Sequence, residues 1–138
     1  EEVISAAKTA NIHDYIMSLE KGYDTFVNNN TSELSTGQKQ LIAIARTIIT
    51  NPDLLILDEA TSSIDTESEI LIQKAITKLT EGRTSIIIAH RLSTIKKCDN
   101  IIVLDKGLIV ESGTHDELIT RSGYYKKLYD YQFADVNV

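Results

Sequence analysis

Hydrophobic residues recur along this chain with two different periods, one helical and one typical of short buried strands. The helical period covers positions 3–20 and ends at Gly22, with apolar residues at Val3, Ile4, Ala7, Ala10, Ile12, Ile16 and Leu19. The polar stretch 27–33 predicts a loop. A second helix is predicted to begin at Ser35, which forms a capping-box pair with Gln38, and to stop at Asn51-Pro52.

The continuous apolar run 54–57 predicts a strand that is buried on both faces, and residues 84–89 predict a second buried strand. The helix predicted between them begins with a second capping-box pair, Thr66 and Glu69, and ends at Gly82. The centre of the chain therefore alternates strand and helix.

The last third of the chain predicts a hairpin and two helices. Its predicted elements, in order, are a helix at 92–97, strands at 100–104 and 108–112, and helices at 114–120 and 124–133. Asp105-Lys106-Gly107 is a hairpin turn, and Thr114 with Glu117 forms a third capping-box pair. Together the elements predict an α/β fold with a mostly parallel sheet, flanking helices and a C-terminal β-hairpin.

Composition narrows the class of protein. The 138 residues are 42% hydrophobic and 25% charged, which is ordinary for a globular domain. The net charge of -6 disfavours nucleic acid as a partner, because phosphate backbones select clustered Lys and Arg. The single cysteine, Cys98, excludes an internal disulfide, fits a reducing cytosolic setting and is interpreted as a small buried or half-buried residue. The sequence contains no run of 18 apolar residues, so no membrane span is predicted, and no leader is expected.

Polar residues lie at the ends of both predicted strands. Asp58 and Glu59 follow the first strand, and His90 follows the second. Ligands of open parallel sheets bind beyond the carboxyl ends of the strands, where an Asp can hold Mg²⁺, a Glu can activate water and an imidazole can contact a phosphate. The structural alternatives stay open at this point, since acids after a strand often cap the next turn and a lone His there is more often structural.

The start of the second helix, Ser35-Thr36-Gly37-Gln38, is a candidate anion site, because free backbone N–H groups and the helix dipole favour negative charge there. The capping box accounts for Ser35 and Gln38. It does not account for Gly37, because glycine in a helix costs about 1 kcal/mol relative to alanine. Close approach of a ligand to the backbone would explain the glycine.

A phosphate-binding loop of the form G-x-x-x-x-G-K-[ST] does not occur in this sequence, and none of the six glycines is followed by lysine. The sequence therefore predicts that the 138-residue chain by itself does not hydrolyse ATP. Its remaining histidines, His13 and His115, lie on predicted helix surfaces or at a cap and are interpreted as structural.

Taken in order, these segments resemble the nucleotide-binding domain of ABC transporters. The matching segments are Leu34–Gln38 (the signature), Leu54–Asp58 (the Walker B strand), Ser62–Asp65 (the D-loop), His90 within 88–95 (the switch histidine) and 109–118 (the closing segment of exporters). The resemblance implies the C-terminal half of a P-loop NTPase domain with a RecA-like core, without the Walker A loop, the glutamine loop and the adenine-stacking aromatic. Thr36 stands where the family usually has glycine.

The resemblance also implies the site. Two such domains would pair head to tail around two ATP molecules, each with Mg²⁺. In that arrangement the catalytic residues would be Glu59, which polarises the attacking water, and His90, which holds the γ-phosphate, while Asp58 would bind the metal. Nucleotide-binding residues would be Ser35, Thr36, Gly37 and Gln38, which contact ATP on the partner, and Asp65 at the dimer seam.

Further expectations concern organisation and partners. Residues 1–50 would end the α-helical subdomain and 51–138 would continue the RecA-like core. Expected partners are a second nucleotide-binding domain, identical or different, and the transmembrane domain of the same exporter at the cytoplasmic face of the cell membrane, with no nucleic acid. A soluble ABC ATPase in translation or DNA repair and a non-catalytic half of a heterodimeric transporter are the alternatives.

Overall fold

A computed structural model describes residues 1–27, 34–58, 64–88 and 92–134. The helices are α1 (Glu2–Thr9), α2 (His13–Ser18), a 3₁₀ turn at Gly22–Asp24, α3 (Thr36–Thr50), α4 (Thr66–Thr80), α5 (Leu92–Ile95), α6 (His115–Thr120) and α7 (Tyr124–Ala134). The strands are β1 (Leu54–Asp58), β2 (Thr84–Ile88), β3 (Ile101–Asp105) and β4 (Leu108–Gly113). Among the described residues, no helix has the length and hydropathy needed to cross a membrane.

The chain forms two compact units. The first comprises 1–57 with 61–86, and the second comprises 58–60 with 87–138. The core of the first unit is an apolar cluster between α1, α3, α4 and β1, made of Ala7, Ala10, Ile12, Leu41, Ile44, Ala45, Leu55, Ile72, Ala75 and Leu79. The second unit has a smaller core of Ile101, Leu118 and Tyr125.

The helix predicted at 3–20 is two helices in the structure, and that part of the prediction was wrong. Asn11 adopts a left-handed conformation with φ of 57°, which an α-helix does not accommodate. The Asn11 side-chain amide donates to the carbonyl oxygen of Leu71 in α4 at 3.3 Å. This tertiary contact holds Asn11 against α4 at the break. The apolar residues predicted to share one helix are therefore divided between α1 and α2.

The predicted cap of α4 was also wrong. The N-cap is Asp65, whose carboxylate accepts from the backbone N–H of Ser68 at 2.8 Å, and Thr66 is the first helical residue. Aspartate and threonine are both N-cap residues, but aspartate ranks higher. The other two capping boxes are confirmed, Ser35 with Gln38 in α3 and Thr114 with Glu117 in α6.

The strands pair as two small sheets, β1 with β2 and β3 with β4. Strands β3 and β4 pair antiparallel, with Asp105 opposite Leu108. Lys106 and Gly107 therefore form the centre of the predicted turn. Both turn residues have positive φ, 49° and 80°, as a hairpin turn of this length favours. The hairpin prediction is confirmed.

The expectation of a strand buried on both faces at 54–57, and of a second buried strand at 84–89, was wrong for the residues that the structure describes, which end at 88 in this segment. In β1, Leu55 is buried at 3% exposure, whereas Ile56 is 66% exposed. In β2, Ile86 is 53% exposed. The core cluster of the first unit accepts one face of β1, and no described element of that unit covers the other face.

Candidate nucleotide-contact site

The start of α3 is organised by its capping box. The Ser35 side-chain oxygen accepts from the Gln38 N–H at 3.2 Å, and the Gln38 side chain accepts from the Ser35 N–H at 2.9 Å. These two bonds satisfy two of the donors that a helix leaves free at its start. Among the described residues, nothing accepts from the N–H groups of Thr36 and Gly37. Two adjacent donors at the positive end of a 15-residue helix therefore remain available to an anion.

Gly37 has a structural reason that the sequence did not reveal. The residue is buried, and a Cβ at this position would lie 2.6 Å from the Ser68 Cβ and 2.8 Å from the Ser68 Oγ. Neither distance is possible between real atoms without displacement. The space that a Cβ on residue 37 would need is thus filled by Ser68 in the first turn of α4, whereas the suggested approach of a ligand to the Gly37 backbone stays a prediction.

Asp65 lies at the start of the same helix, α4. Its side chain is exposed, and hydrogen bonds from the backbone and side chain of Ser68 lower the pKa of the carboxyl below its usual value. The starts of α3 and α4 are therefore in contact, so the structure brings the signature residues and Asp65 into one region of the first unit.

Of the remaining predicted site residues, Asp58 lies within the described ranges. Asp58 is the exposed last residue of β1 and belongs to the second unit. Glu59 and His90 lie outside the described residues, so their predicted positions stay predictions. The other two histidines are structural, as expected. The Nδ1 atom of His13 lies 2.8 Å from the Tyr23 hydroxyl, and that of His115 lies 2.7 Å from the Tyr125 hydroxyl.

Cys98 also matches its sequence interpretation. The residue is half-buried, and its sulfur contacts the Thr94 carbonyl oxygen at 3.7 Å. Burial raises the pKa of its thiol, with a smaller contribution from the neighbouring Asp99. A thiol held neutral in this way is a packing residue.

The donor set fits nucleotide with magnesium. Within the ranges that the structure describes, no group of three His, Cys, Asp or Glu side chains comes together as a metal site. Mg²⁺ is commonly held by one or two carboxylates together with substrate phosphates, so a single exposed strand-end Asp58 suits it without such a group. The free N–H groups of α3 suit a phosphate in the same way.

The described residues combine a capped helix, a strand that ends in an acid and a β-hairpin, and the comparisons identify which class of domain this arrangement belongs to. The ABC transporter family profile matches residues 1–62. This chain belongs to the family of ABC transporter ATP-binding domains.

Related proteins and structures agree with this assignment. The chain is 58% identical over 133 residues to an uncharacterised ABC transporter ATP-binding protein of Bacillus subtilis, covering 96% of this chain and 22% of the relative. It is 55% identical over 132 residues to a provisionally named multidrug export ATP-binding/permease protein of Staphylococcus aureus, covering 96% and 23%.

A solved structure of a bacterial Atm1-family ABC exporter with ATP bound superimposes with a TM-score of 0.82 at 46% identity, covering 95% of this chain and 23% of that one. The chain therefore spans less than a quarter of the length of the relatives it matches.

Proposed function

We propose that this chain is the C-terminal half of the ATP-hydrolysing domain of a membrane exporter, which uses ATP to drive efflux of a substrate. The observation that carries the proposal is the start of α3, where a capping box leaves two adjacent N–H donors free in a fold that matches an ATP-bound exporter. The names of the relatives, which describe export and permease functions, support the same proposal.

In this proposal the domain works as a pair, with an identical or a different partner domain. Ser35, Thr36, Gly37 and Gln38 contact ATP that the phosphate loop of the partner domain holds. The exposure of Ser35 and Thr36 and the free donors of the helix start support this role. Asp65, exposed and in the same region, lies at the seam between the two domains.

The chain's own nucleotide would be served by residues that follow the two central strands. Asp58 holds the magnesium ion, Glu59 orients the attacking water and His90 donates to the γ-phosphate. Bound Mg²⁺ neutralises negative charge that develops on the phosphoryl oxygens. The protein contributes positioning and charge stabilisation, and no covalent intermediate is part of the proposal.

The wider organisation is proposed on the same basis. Residues 1–50 complete the α-helical subdomain and residues 51–138 continue the RecA-like core. The full protein joins this domain to a transmembrane domain, so the domain works at the cytoplasmic face of the cell membrane. ATP binding closes the pair of domains and hydrolysis reopens it, which moves the attached membrane helices. Nucleic acid is not a partner, in keeping with the net charge of -6.

The test uses the full-length protein in lipid nanodiscs. Replacing Glu59 with Gln keeps the size of the side chain and removes the base, so ATP turnover should fall on the order of 100- to 10,000-fold while ATP binding persists. Glu67→Gln is the matched control, because Glu67 is an exposed acid in the first turn of α4 and should leave turnover unchanged.

The isolated 138-residue chain is a second control and should show no turnover, since its sequence has no phosphate-binding loop. Two outcomes would contradict the proposal. One is steady turnover by Glu59→Gln at the wild-type rate, and the other is turnover by the isolated chain that Glu59→Gln abolishes.

A further inference from the structure

One serine connects the two helix starts of the candidate site. The Ser68 backbone N–H donates to the Asp65 carboxylate at 2.8 Å, and the Ser68 hydroxyl also hydrogen-bonds that carboxylate. A Cβ on Gly37 would lie 2.6 Å from the Cβ and 2.8 Å from the Oγ of the same serine. Ser68 thus contacts Asp65 through its polar atoms and the backbone of Gly37 through its Cβ.

Of the atoms near the position that a Cβ on residue 37 would occupy, those of Ser68 are the nearest. Behind Ser68, the next atom that a Cβ at position 37 would meet is the Ile64 Cγ2 at 3.5 Å, an ordinary van der Waals distance. The obstruction at Gly37 therefore comes from one side chain. Helices α3 and α4 are each 15 residues long and share the buried core, so close packing limits how a clash at this contact can be relieved.

We infer that Ser68 is a positioning residue for the ATP contact made by α3: its Cβ sets how closely the starts of α3 and α4 approach, and so sets where the N–H groups of Thr36 and Gly37 lie relative to Asp65. The inference rests on the proposed function. It also assigns the glycine at position 37 to helix packing, whereas a ligand-approach role would assign it to the nucleotide.

The distinction can be tested because Ser68 offers two replacements that differ by one atom. Ser68→Ala and Ser68→Gly both remove the hydroxyl and keep the backbone N–H that donates to the capping carboxylate of Asp65. Only Ser68→Gly removes the Cβ that lies 2.6 Å from the position of a new Cβ at residue 37. A comparison of the two therefore isolates the contact between Ser68 and residue 37.

The experiment measures ATP turnover and ATP binding of the full-length protein in nanodiscs at 25 °C, together with the midpoint of thermal unfolding. Gly37→Ala should lower kcat on the order of 10- to 100-fold, because the α3 donors are displaced. Resting ATP affinity should stay unchanged, because the partner's phosphate loop provides it. Gly37→Ala/Ser68→Gly should return kcat to within about threefold of Ser68→Gly alone, and Gly37→Ala/Ser68→Ala should remain as slow as Gly37→Ala.

Four outcomes would overturn the inference. They are wild-type kcat in Gly37→Ala, equal rescue by both Ser68 variants, no rescue by Ser68→Gly, and rescue of the unfolding midpoint without rescue of kcat. The third outcome would assign Gly37 to the nucleotide, and the fourth would reduce Ser68 to a packing residue. A wild-type protein without ATP turnover would instead refute the proposed function, and the positioning role would fall with it.

Discussion

Asp65 has a capping role in the structure and a second role in the proposed function. Its carboxylate caps α4 through the N–H of Ser68, yet it is exposed and lies in the region of the signature residues. An ionised carboxylate has about four lone-pair positions, so the bonds from Ser68 leave acceptor capacity for a partner. The local role and the proposed role at the dimer seam are therefore compatible.

The cap can be tested by a pair of neighbouring substitutions. Asp65→Ala should speed amide hydrogen exchange several-fold in the first turn of α4, because the Ser68 N–H loses its acceptor. Thr66→Ala should leave that exchange unchanged, since Thr66 is not the cap. Exchange that is faster in Thr66→Ala than in Asp65→Ala, measured by mass spectrometry of the full-length protein, would restore the cap that the sequence predicted.

Acid provides a second readout of the same cap. Hydrogen bonds from Ser68 lower the folded-state pKa of Asp65, so its stabilising effect is complete above the unfolded pKa and is lost as pH falls from about 4 through the lowered folded pKa. The first turn of α4 should therefore loosen on acidification in the wild type. Asp65→Asn, which cannot titrate, should loosen less over the same range.

At the scale of elements, Tyr125 links α7 to the hairpin and to α6. The Glu111 carboxylate of β4 accepts from the Tyr125 N–H at 2.7 Å, and the Tyr125 hydroxyl lies 2.7 Å from the His115 Nδ1. Tyr125 is buried at 2% exposure, and burial raises the pKa of its phenol, so the hydroxyl stays protonated at neutral pH. Gly123 allows this arrangement, because a Cβ there would overlap the Glu111 carboxylate.

Removing the hydroxyl of this buried tyrosine should measurably weaken the second unit. Tyr125→Phe should cost about 1 kcal/mol of unfolding free energy, the usual worth of one hydrogen bond, and should leave the ring packing unchanged. Tyr131→Phe in the same helix is the matched control, because Tyr131 is 76% exposed. Denaturant unfolding of the full-length protein measures both, and equal midpoints for the two variants would contradict this account of Tyr125.

At the scale of the whole molecule, the exposed apolar positions of β1 and β2 stand out. Leu54, Ile56 and Ile86 are 52%, 66% and 53% exposed, although buried strands rarely show large apolar side chains to water. Strands with bare faces and edges pair with other chains. The isolated chain should therefore self-associate.

Light scattering of the purified 138-residue chain should show oligomers that grow with concentration. Ile56→Thr, which keeps the β-branched shape and removes apolar area, should shift the distribution towards monomer. Ile70→Thr should not, because Ile70 is an exposed isoleucine on helix α4, outside the sheet. A monodisperse monomer at every concentration would show that these faces do not associate.

The sequence determined most features that depend on neighbours along the chain, although it placed the cap of α4 at Thr66 instead of Asp65. Capping boxes at Ser35 and Thr114, the Lys106-Gly107 turn and the stop at Asn51 each involve contacts within about five residues, and all are present in the structure. The order of motifs was also sufficient to indicate the family, because that order is a property of the sequence alone.

Tertiary structure decided what depends on contacts between distant residues. Asn11 breaks the first helix by bonding Leu71, sixty positions away, and no local pattern records that partner. A Cβ on Gly37 would lie 2.6 Å from the Cβ of Ser68 in another helix, a contact that the sequence did not indicate. The exposure of Ile56 likewise depends on which elements cover the sheet. An apolar run indicates that burial is favourable, but it does not indicate which element packs against it.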